Sequence, residues 1–85
     1  MDRYLVISPH TAADCKQALA EVHAAGYITH FDWGCMAGDH TGWLVIEAEN
    51  AGQALMVVPT RQRKDARVVK VVKFSPADVE RMHHS

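Results

Sequence analysis

Histidine and cysteine residues gather around a glycine-rich stretch in the middle of the chain. His30, Cys35 and His40 follow one another there at spacings of five residues, and imidazole and thiolate are ligands that zinc, copper or nickel accepts. In a regular strand, side chains five residues apart point to opposite faces, so a metal site would need a bulge near Gly34. The alternative is that these histidines lie on the surface or in a turn. We favour that alternative and expect no metal and no cofactor.

His30 and Asp32 offer a second kind of chemistry, proton transfer. In an extended segment the two side chains share one face about 6.5–7 Å apart, and a carboxylate beside an imidazole raises the pKa of the imidazole. His40, in the following turn, can approach the same place. If the chain is an enzyme, His30, Asp32 and His40 are its predicted acid–base residues. The alternative is a solvated edge strand, and no catalytic motif in the sequence decides between the two.

The two tryptophans and the two cysteines surround the same region. Trp33 and Trp43 flank the predicted turn, where they either stack on a flat ligand or pair with each other across the hairpin. Cys35 shares its predicted face with Phe31 and Trp33, and an apolar neighbourhood raises the pKa of a thiol. Cys15 falls on the apolar stripe of a predicted helix. Both cysteines are therefore interpreted as packing residues, not as nucleophiles.

The hydrophobic pattern predicts the elements that hold these residues. Strands are expected at residues 3–8, 28–36, 43–48 and 66–74, a turn at 37–42, a basic loop at 60–65, and helices that begin after Thr11, Asn50 and Ser75. This order predicts one α+β domain over residues 1–85, a ferredoxin-like fold with a four-stranded antiparallel sheet and a short C-terminal helix. Strands one and three would be central in that sheet. Strands two and four would be edges, which suits their charged residues Asp32, Lys70 and Lys73.

The predicted sheet has more apolar surface than two helices can cover. Residues 5–7 and 44–46 are apolar towards both faces, so we expect a second copy to pack its sheet on the first as a homodimer. This architecture resembles the dimeric α+β barrel superfamily, which includes muconolactone isomerases and cofactor-free antibiotic-biosynthesis monooxygenases. The segments WGCMAGDHTGW and VVKVVKF and the helix start at residues 75–78 resemble a small bacterial family with no assigned role. No catalytic motif matches, so no active-site residues are carried over.

Composition and charge exclude several partners. The net charge of −1 gives no field that would draw the chain to nucleic acid or an anionic membrane, and no apolar run approaches the ~20 residues of a membrane span. Ferredoxin-like sheets also serve RNA binders, but strands one and three offer only Tyr4 and Trp43 for base stacking. We therefore expect no nucleic-acid partner. Two cysteines make no disulfide framework, which favours a reducing cytoplasm.

The leading prediction is a small cytoplasmic homodimer that binds a small molecule, with aromatic compounds among the candidates, in a cavity near the hairpin from Thr29 to Trp43. Two other interpretations stay open. One is a non-catalytic regulatory or interaction module that uses the same sheet. The other is a transition-metal-binding protein with His30, Cys35 and His40 as ligands.

Overall fold

The computed structural model describes residues 1–84, which fold into one antiparallel sheet with the first two helices packed on one face. In chain order the elements are β1 (Asp2–Pro9), α1 (Cys15–Ala24), β2 (Asp32–Trp33), a first 3-10 helix (Cys35–Ala37), β3 (Thr41–Ala48), α2 (Ala51–Leu55), a second 3-10 helix (Thr60–Asp65), β4 (Arg67–Val71) and α3 (Pro76–His84). The strands lie in the order β2-β3-β1-β4. The chain is thus an α+β protein with a four-stranded sheet and a short C-terminal helix, and strands one and three are central as predicted.

Two helix starts follow the capping residues that the sequence contains. The Asn50 side chain accepts a hydrogen bond from the Gln53 backbone N–H at 2.8 Å, and α2 begins at the next residue. The Ser75 hydroxyl accepts from the Asp78 N–H at 3.1 Å, while the Asp78 carboxylate accepts from the Ser75 N–H at 2.9 Å. Such reciprocal pairs satisfy N–H groups that a helix end leaves unpaired. None of the helices among residues 1–84 has the length and apolar character that a membrane span needs.

The first helix starts later than its capping signal predicts. Thr11 does accept a hydrogen bond from the Asp14 N–H at 3.2 Å, but that bond closes a separate turn over residues 12–14 and α1 begins at Cys15. The difference matters for the site, because Cys15 is then the first residue of the helix, whereas the signal at Thr11 predicts that the helix begins before it.

The core lies between the helices and one face of the sheet. Alternate residues of β1 point into it, and the buried apolar residues are Tyr4, Val6, Ala18, Val22, Phe31, Leu44, Ala48, Ala54, Val57 and Val58. The other face of the sheet, which we call the open sheet face, consists of Leu5, Ile7, Trp43, Val45, Val69 and Val71, placed together by the strand register. Val45 is 47% exposed and Val69 is 37% exposed. The single chain therefore covers the central strands on one face only.

The predicted second strand at residues 28–36 is wrong for most of its length. Residues 28–31 form a turn, β2 contains two residues, and the first 3-10 helix follows. The cause is a cluster of hydrogen bonds at Gly34, whose N–H donates to the Thr41 carbonyl at 3.0 Å and whose carbonyl accepts from Asp39 at 3.0 Å. The chain therefore reverses over residues 34–40, earlier than the predicted turn at 37–42.

The basic segment and the last strand also differ from expectation. Residues 60–65 form the second 3-10 helix instead of an open loop. Arg61 makes a 2.7 Å ion pair with Glu21, and Arg63 donates to the Val58 carbonyl at 2.7 Å. Both arginines of this segment thus have partners within the domain. β4 ends at Val71 and not at the predicted residue 74.

Candidate metal centre

Four side chains that commonly bind metals converge at one end of the sheet: His10, Cys15, Cys35 and His40. One potential ligand atom of each lies within 4.8 Å of those of the other three. Two nitrogen and two sulfur donors form a set that binds zinc tetrahedrally. In such a site the donors are roughly 3.3–3.8 Å apart, as follows from the usual zinc–ligand distances. Side-chain movements on the order of 1 Å would close the cluster around an ion.

The sheet itself holds the two histidines side by side. Pro9 of β1 is paired with Thr41 of β3, and the next residue, His10, donates its backbone N–H to the His40 carbonyl at 2.9 Å. The two imidazole ring centroids are 5.6 Å apart, in an edge-to-face arrangement. The positions of these two ligands therefore follow directly from the register of the central strands.

The two cysteines are each the first residue of a helical segment. Cys15 begins α1, and Cys35 begins the first 3-10 helix. The Cys35 sulfur is 3.4 Å from Nε2 of His10. Gly38 has a φ of +89° and ends the 3-10 helix, so the chain can return to β3 with His40 beside the cysteines.

The two kinds of donor in the cluster differ in how protons compete with a metal. Burial and the neighbouring His40 lower the pKa of His10 below its ordinary value of 6.5, and Asp14 opposes this shift. The His10 ring is therefore neutral at pH 7, as a metal ligand must be. Burial and the nearby Cys15 raise the pKa of Cys35 above its ordinary value of 9.0. The Cys35 thiol is therefore protonated in the metal-free protein and would release its proton to an incoming cation.

Both imidazoles also carry a buried nitrogen without a hydrogen-bond partner. Within residues 1–84, Nδ1 of His10 and Nδ1 of His40 are buried and unpaired. Leaving a buried polar atom unsatisfied costs about 1–3 kcal/mol, and such atoms are uncommon in native structures. Either nitrogen of an imidazole can bind a metal. An ion bound through Nδ1 would give each of these two atoms the partner that the described residues do not supply.

The cluster separates two cavities of different character. The larger, about 670 Å³, is mainly apolar and is lined by Cys15, Leu19, Ala20, His23, Ile28, Trp33, Cys35, Met36 and His40. The smaller, about 570 Å³, is polar and is lined by Pro9, His10, Thr11, Asp14, Arg61, Gln62, Lys64 and Asp65. Cys15, Cys35 and His40 thus line the apolar cavity. His10 lines the polar one.

No protein-family model, curated protein or solved structure matches this chain.

The cluster contains part of the ligand set considered from the sequence. Cys35 and His40 belong to it, but His30 does not. His30 is exposed in the turn before β2, where its ring packs against Tyr27 at a centroid distance of 5.5 Å. Asp32 is exposed in β2 and also lies outside the cluster. Of the three residues predicted for proton transfer, only His40 therefore lies at the centre.

The two tryptophans, considered together as a ligand-binding surface, lie on opposite faces of the sheet. Trp33 is paired with Gly42, and Trp43 is paired with Asp32. The tryptophans are therefore one residue out of register, and a shift of one residue reverses the face. Trp33 lines the apolar cavity, whereas Trp43 belongs to the open sheet face. The predicted direct pairing across the hairpin is wrong.

The sequence interpretation did not identify His10 and Cys15 as candidate ligands. A signal for them exists: His10 and Cys15 are five residues apart, as are Cys35 and His40, in mirrored order. The metal interpretation considered only residues of the hairpin. Cys15 falls on the apolar stripe of the predicted first helix, and that position predicts a packing residue.

Proposed function

We propose that this protein binds one Zn²⁺ ion through His10, Cys15, Cys35 and His40. The observation that carries the proposal is the convergence of these four donors within 4.8 Å of one another. Thiolate and imidazole favour zinc over calcium and magnesium, which take oxygen ligands. Four protein ligands complete a tetrahedral shell and leave no open position for a substrate, so the proposed site is structural.

The proposed ion would join two connections that the sheet leaves separate. One connection runs from β1 to α1, and the other runs from β2 through the first 3-10 helix to β3. A domain of 85 residues buries a small core, and small domains commonly use a structural metal as a staple. The two-residue strand β2 offers few backbone hydrogen bonds of its own. A metal bound by Cys35 and His40 would hold in place the segment that follows β2.

Metal analysis of protein purified without an affinity tag tests this proposal. After dialysis against a weak chelator we expect one zinc per chain, and cobalt in its place should give the visible absorption of a tetrahedral thiolate site. Cys15→Ser and Cys35→Ser should each lose most of the zinc. The matched controls are His23→Ala and His30→Ala. These variants change histidines outside the cluster and should still bind one zinc per chain.

Two results would overturn the zinc proposal. One is a folded wild-type chain, checked by circular dichroism, that takes up no zinc at micromolar free concentration. The other is a His30→Ala variant that loses the metal as completely as His40→Ala does. The second result would favour the ligand set predicted from the hairpin alone.

The apolar cavity supports a second candidate function, the binding of a small molecule with an aromatic body. Its volume of about 670 Å³ lies within the range of ligand sites, and the Trp33 ring offers a stacking surface. Because His30 and Asp32 lie outside the cluster, ligand binding without catalysis is better supported than an enzymatic role. Such binding would suit a regulatory or interaction module. Native mass spectrometry and a thermal-shift screen would find a ligand. Trp33→Leu should weaken its binding, whereas Trp43→Leu, on the opposite face, should not.

For the assembly we propose a ferredoxin-like domain that forms a cytoplasmic homodimer of the dimeric α+β barrel type. The strand order and the exposed open sheet face support it. A second copy is the simplest cover for six apolar residues of one sheet. Light scattering should give a dimer at micromolar concentration and a monomer for Val45→Asp. A wild-type monomer would contradict the proposal.

A further inference from the structure

Two stretches of the chain form the walls of the apolar cavity. One wall is a face of α1 and consists of Cys15, Leu19, Ala20 and His23. The other wall belongs to residues 28–40 and consists of Ile28, Trp33, Cys35, Met36 and His40. In the described part of the chain, no backbone hydrogen bond joins α1 to residues 28–40. The two walls are connected by the turn after α1, and side-chain packing sets their separation elsewhere.

The candidate metal centre includes donors from both walls. Cys15 is the first residue of α1, whereas Cys35 and His40 belong to the opposite wall. A helix of ten residues is about 15 Å long, so an ion at Cys15 would join the walls at the end of α1 that lies far from the turn. The cavity would then be held at both ends. A site that is held in its binding geometry loses less conformational entropy when a ligand binds.

The charge of the cavity favours an uncharged ligand. Within residues 1–84, none of the side chains that line it is an Asp, Glu, Lys or Arg. A zinc ion with two thiolate and two neutral imidazole ligands has no net charge, so the centre would add no charge to the wall either. A charged ligand would lose its water in this cavity without gaining a partner of opposite charge, which is unfavourable.

Trp33 and Met36 give the cavity two groups that contact aromatic rings well. The Trp33 indole N–H donates to the Ile28 carbonyl at 3.4 Å, a contact within the same wall that orients the ring. Met36 lines the cavity yet is fully exposed, so a ligand there would cover an apolar side chain that the domain leaves in water. Indole rings stack on other aromatic rings, and thioether sulfur packs favourably against them. The cavity therefore suits a ligand with an aromatic body.

We infer that the apolar cavity takes an uncharged aromatic molecule and that zinc at the candidate centre strengthens its binding. This inference rests on the zinc site proposed above and specifies the second candidate function. Coupling between two ligands is reciprocal, so the aromatic ligand strengthens zinc binding by the same factor. The expected factor is at least about tenfold, within the usual range of roughly 5–150-fold for coupled sites.

The uncharged fluorophore N-phenylnaphthylamine tests the coupling, because it fluoresces strongly only in apolar surroundings. Its Kd should be at least about tenfold lower for protein with one zinc per chain than for the metal-free protein, with circular dichroism as the check on folding. In the reverse titration, a saturating concentration of this probe should lower the Kd of zinc by the same factor. Anilinonaphthalene sulfonate has the same rings and an added negative charge, and it should bind the zinc form at least about tenfold more weakly.

One substitution tests the cavity without changing a metal ligand. Ala20→Glu places a carboxylate in the α1 wall and should raise the Kd of the uncharged probe at least about tenfold, while the protein still binds one zinc per chain. The matched control is Gln17→Glu, which adds the same side chain at an exposed position of α1 outside the cavity. This control should change neither the Kd of the probe nor that of zinc.

Cobalt in place of zinc locates the probe. High-spin Co²⁺ is paramagnetic, and three of its four expected ligands line the cavity. The ring protons of the bound probe should therefore relax faster in the cobalt form than in the zinc form, as measured by nuclear magnetic resonance. This measurement uses only metal-loaded protein, so it also decides the inference if the metal-free chain loses its fold.

The outcomes separate the coupling from the zinc site. A folded chain that takes up no zinc overturns both. A chain that binds zinc but binds the uncharged probe equally well without it, or more weakly with it, keeps the zinc site and overturns the coupling. Equal binding of the charged probe overturns the ligand class. Equal proton relaxation in the cobalt and zinc forms, or an Ala20→Glu variant that binds the probe as the wild type does, places the ligand outside the cavity and overturns the inference.

Discussion

The backbone N–H of His10 donates to the carbonyl of His40 at 2.9 Å, and this hydrogen bond continues the β1–β3 pairing by one residue. The sheet therefore fixes two of the four donors before any metal arrives. Cys15 and Cys35 lie instead at the starts of two helical segments. The candidate centre thus combines two imidazoles placed by the strand pairing with two thiols placed by helical segments, and we expect metal binding to hold the second pair in place.

Zinc should raise the melting temperature of the metal-free protein. A ligand at 100 times its Kd stabilises the folded state by about 2.7 kcal/mol, which corresponds to roughly 10–20 °C for a domain of this size. Differential scanning fluorimetry with and without zinc measures the shift. Cys35→Ser should abolish it and His30→Ala should retain it. An equal shift with magnesium would argue against a thiolate site.

Zinc affinity should rise with pH between about 6 and 9. The raised pKa of Cys35 means that a thiol proton must leave when zinc binds, so the observed affinity increases as protons become scarce. The pKa of His10 is lowered below its ordinary value of 6.5, so this ring is mainly neutral at pH 6.5 and above. Protons therefore compete with zinc for His10 only in more acidic solution. Competition with a chromophoric chelator at several pH values measures the slope. A flat profile from pH 6 to 9 would contradict thiol coordination.

The sequence predicts those parts of the fold that depend on local chemistry. The capping residues Asn50 and Ser75 mark real helix starts, and the apolar runs of β1 and β3 identify the central strands. It predicts β2 poorly because alternation over residues 28–36 resembles a strand, whereas the hydrogen bonds of Gly34 to Thr41 and Asp39 depend on the fold of the whole hairpin.

The candidate centre was only half predictable for a similar reason. Cys35 and His40 are neighbours in sequence and could be suspected together. His10 and Cys35 are separated by 25 residues, and their contact exists only because the β1–β3 register carries the end of β1 to the start of β3. A spacing rule within one hairpin cannot find such a partner, although the mirrored five-residue spacing could have prompted the search.

Alanine at Gly42 should destabilise the hairpin. A Cβ at Gly42 would lie 2.7 Å from Cζ3 of Trp33, and one at Gly34 would lie 2.8 Å from Cζ3 of Trp43, so each tryptophan ring covers a glycine on its own face of the sheet. Overpacking of this kind typically costs 1–3 kcal/mol. Urea unfolding of Gly42→Ala measures this cost. The control is Gly52→Ala at an exposed position of α2, where the added Cβ would lie 3.3 Å from Oδ1 of Asn50, and it should change the stability less. Equal stability of Gly42→Ala and wild type would show that the ring moves aside freely.

Zinc should also protect Cys15 and Cys35 from oxidation to a disulfide. Their sulfur atoms lie within 4.8 Å of each other, so in the metal-free protein hydrogen peroxide should oxidise one thiol and the other should then attack it. The two thiols lose two electrons and two protons to form one S–S bond, and the peroxide is reduced to two molecules of water. In the zinc form both sulfurs are metal-bound, and the reaction should be at least about tenfold slower because their nucleophilic electron pairs are engaged.

Intact-mass spectrometry measures this oxidation as the loss of two hydrogens, and peptide mapping locates the bond between Cys15 and Cys35. The control is Cys15→Ser, in which Cys35 has no partner within the chain and should stop at the sulfenic acid or pair between molecules. Equal oxidation rates with and without zinc, in protein shown to contain the metal, would mean that the cysteines are not ligands. The ion would then have to be held by the histidines and by other groups. That result would replace a Cys₂His₂ centre with a weaker, nitrogen-rich one.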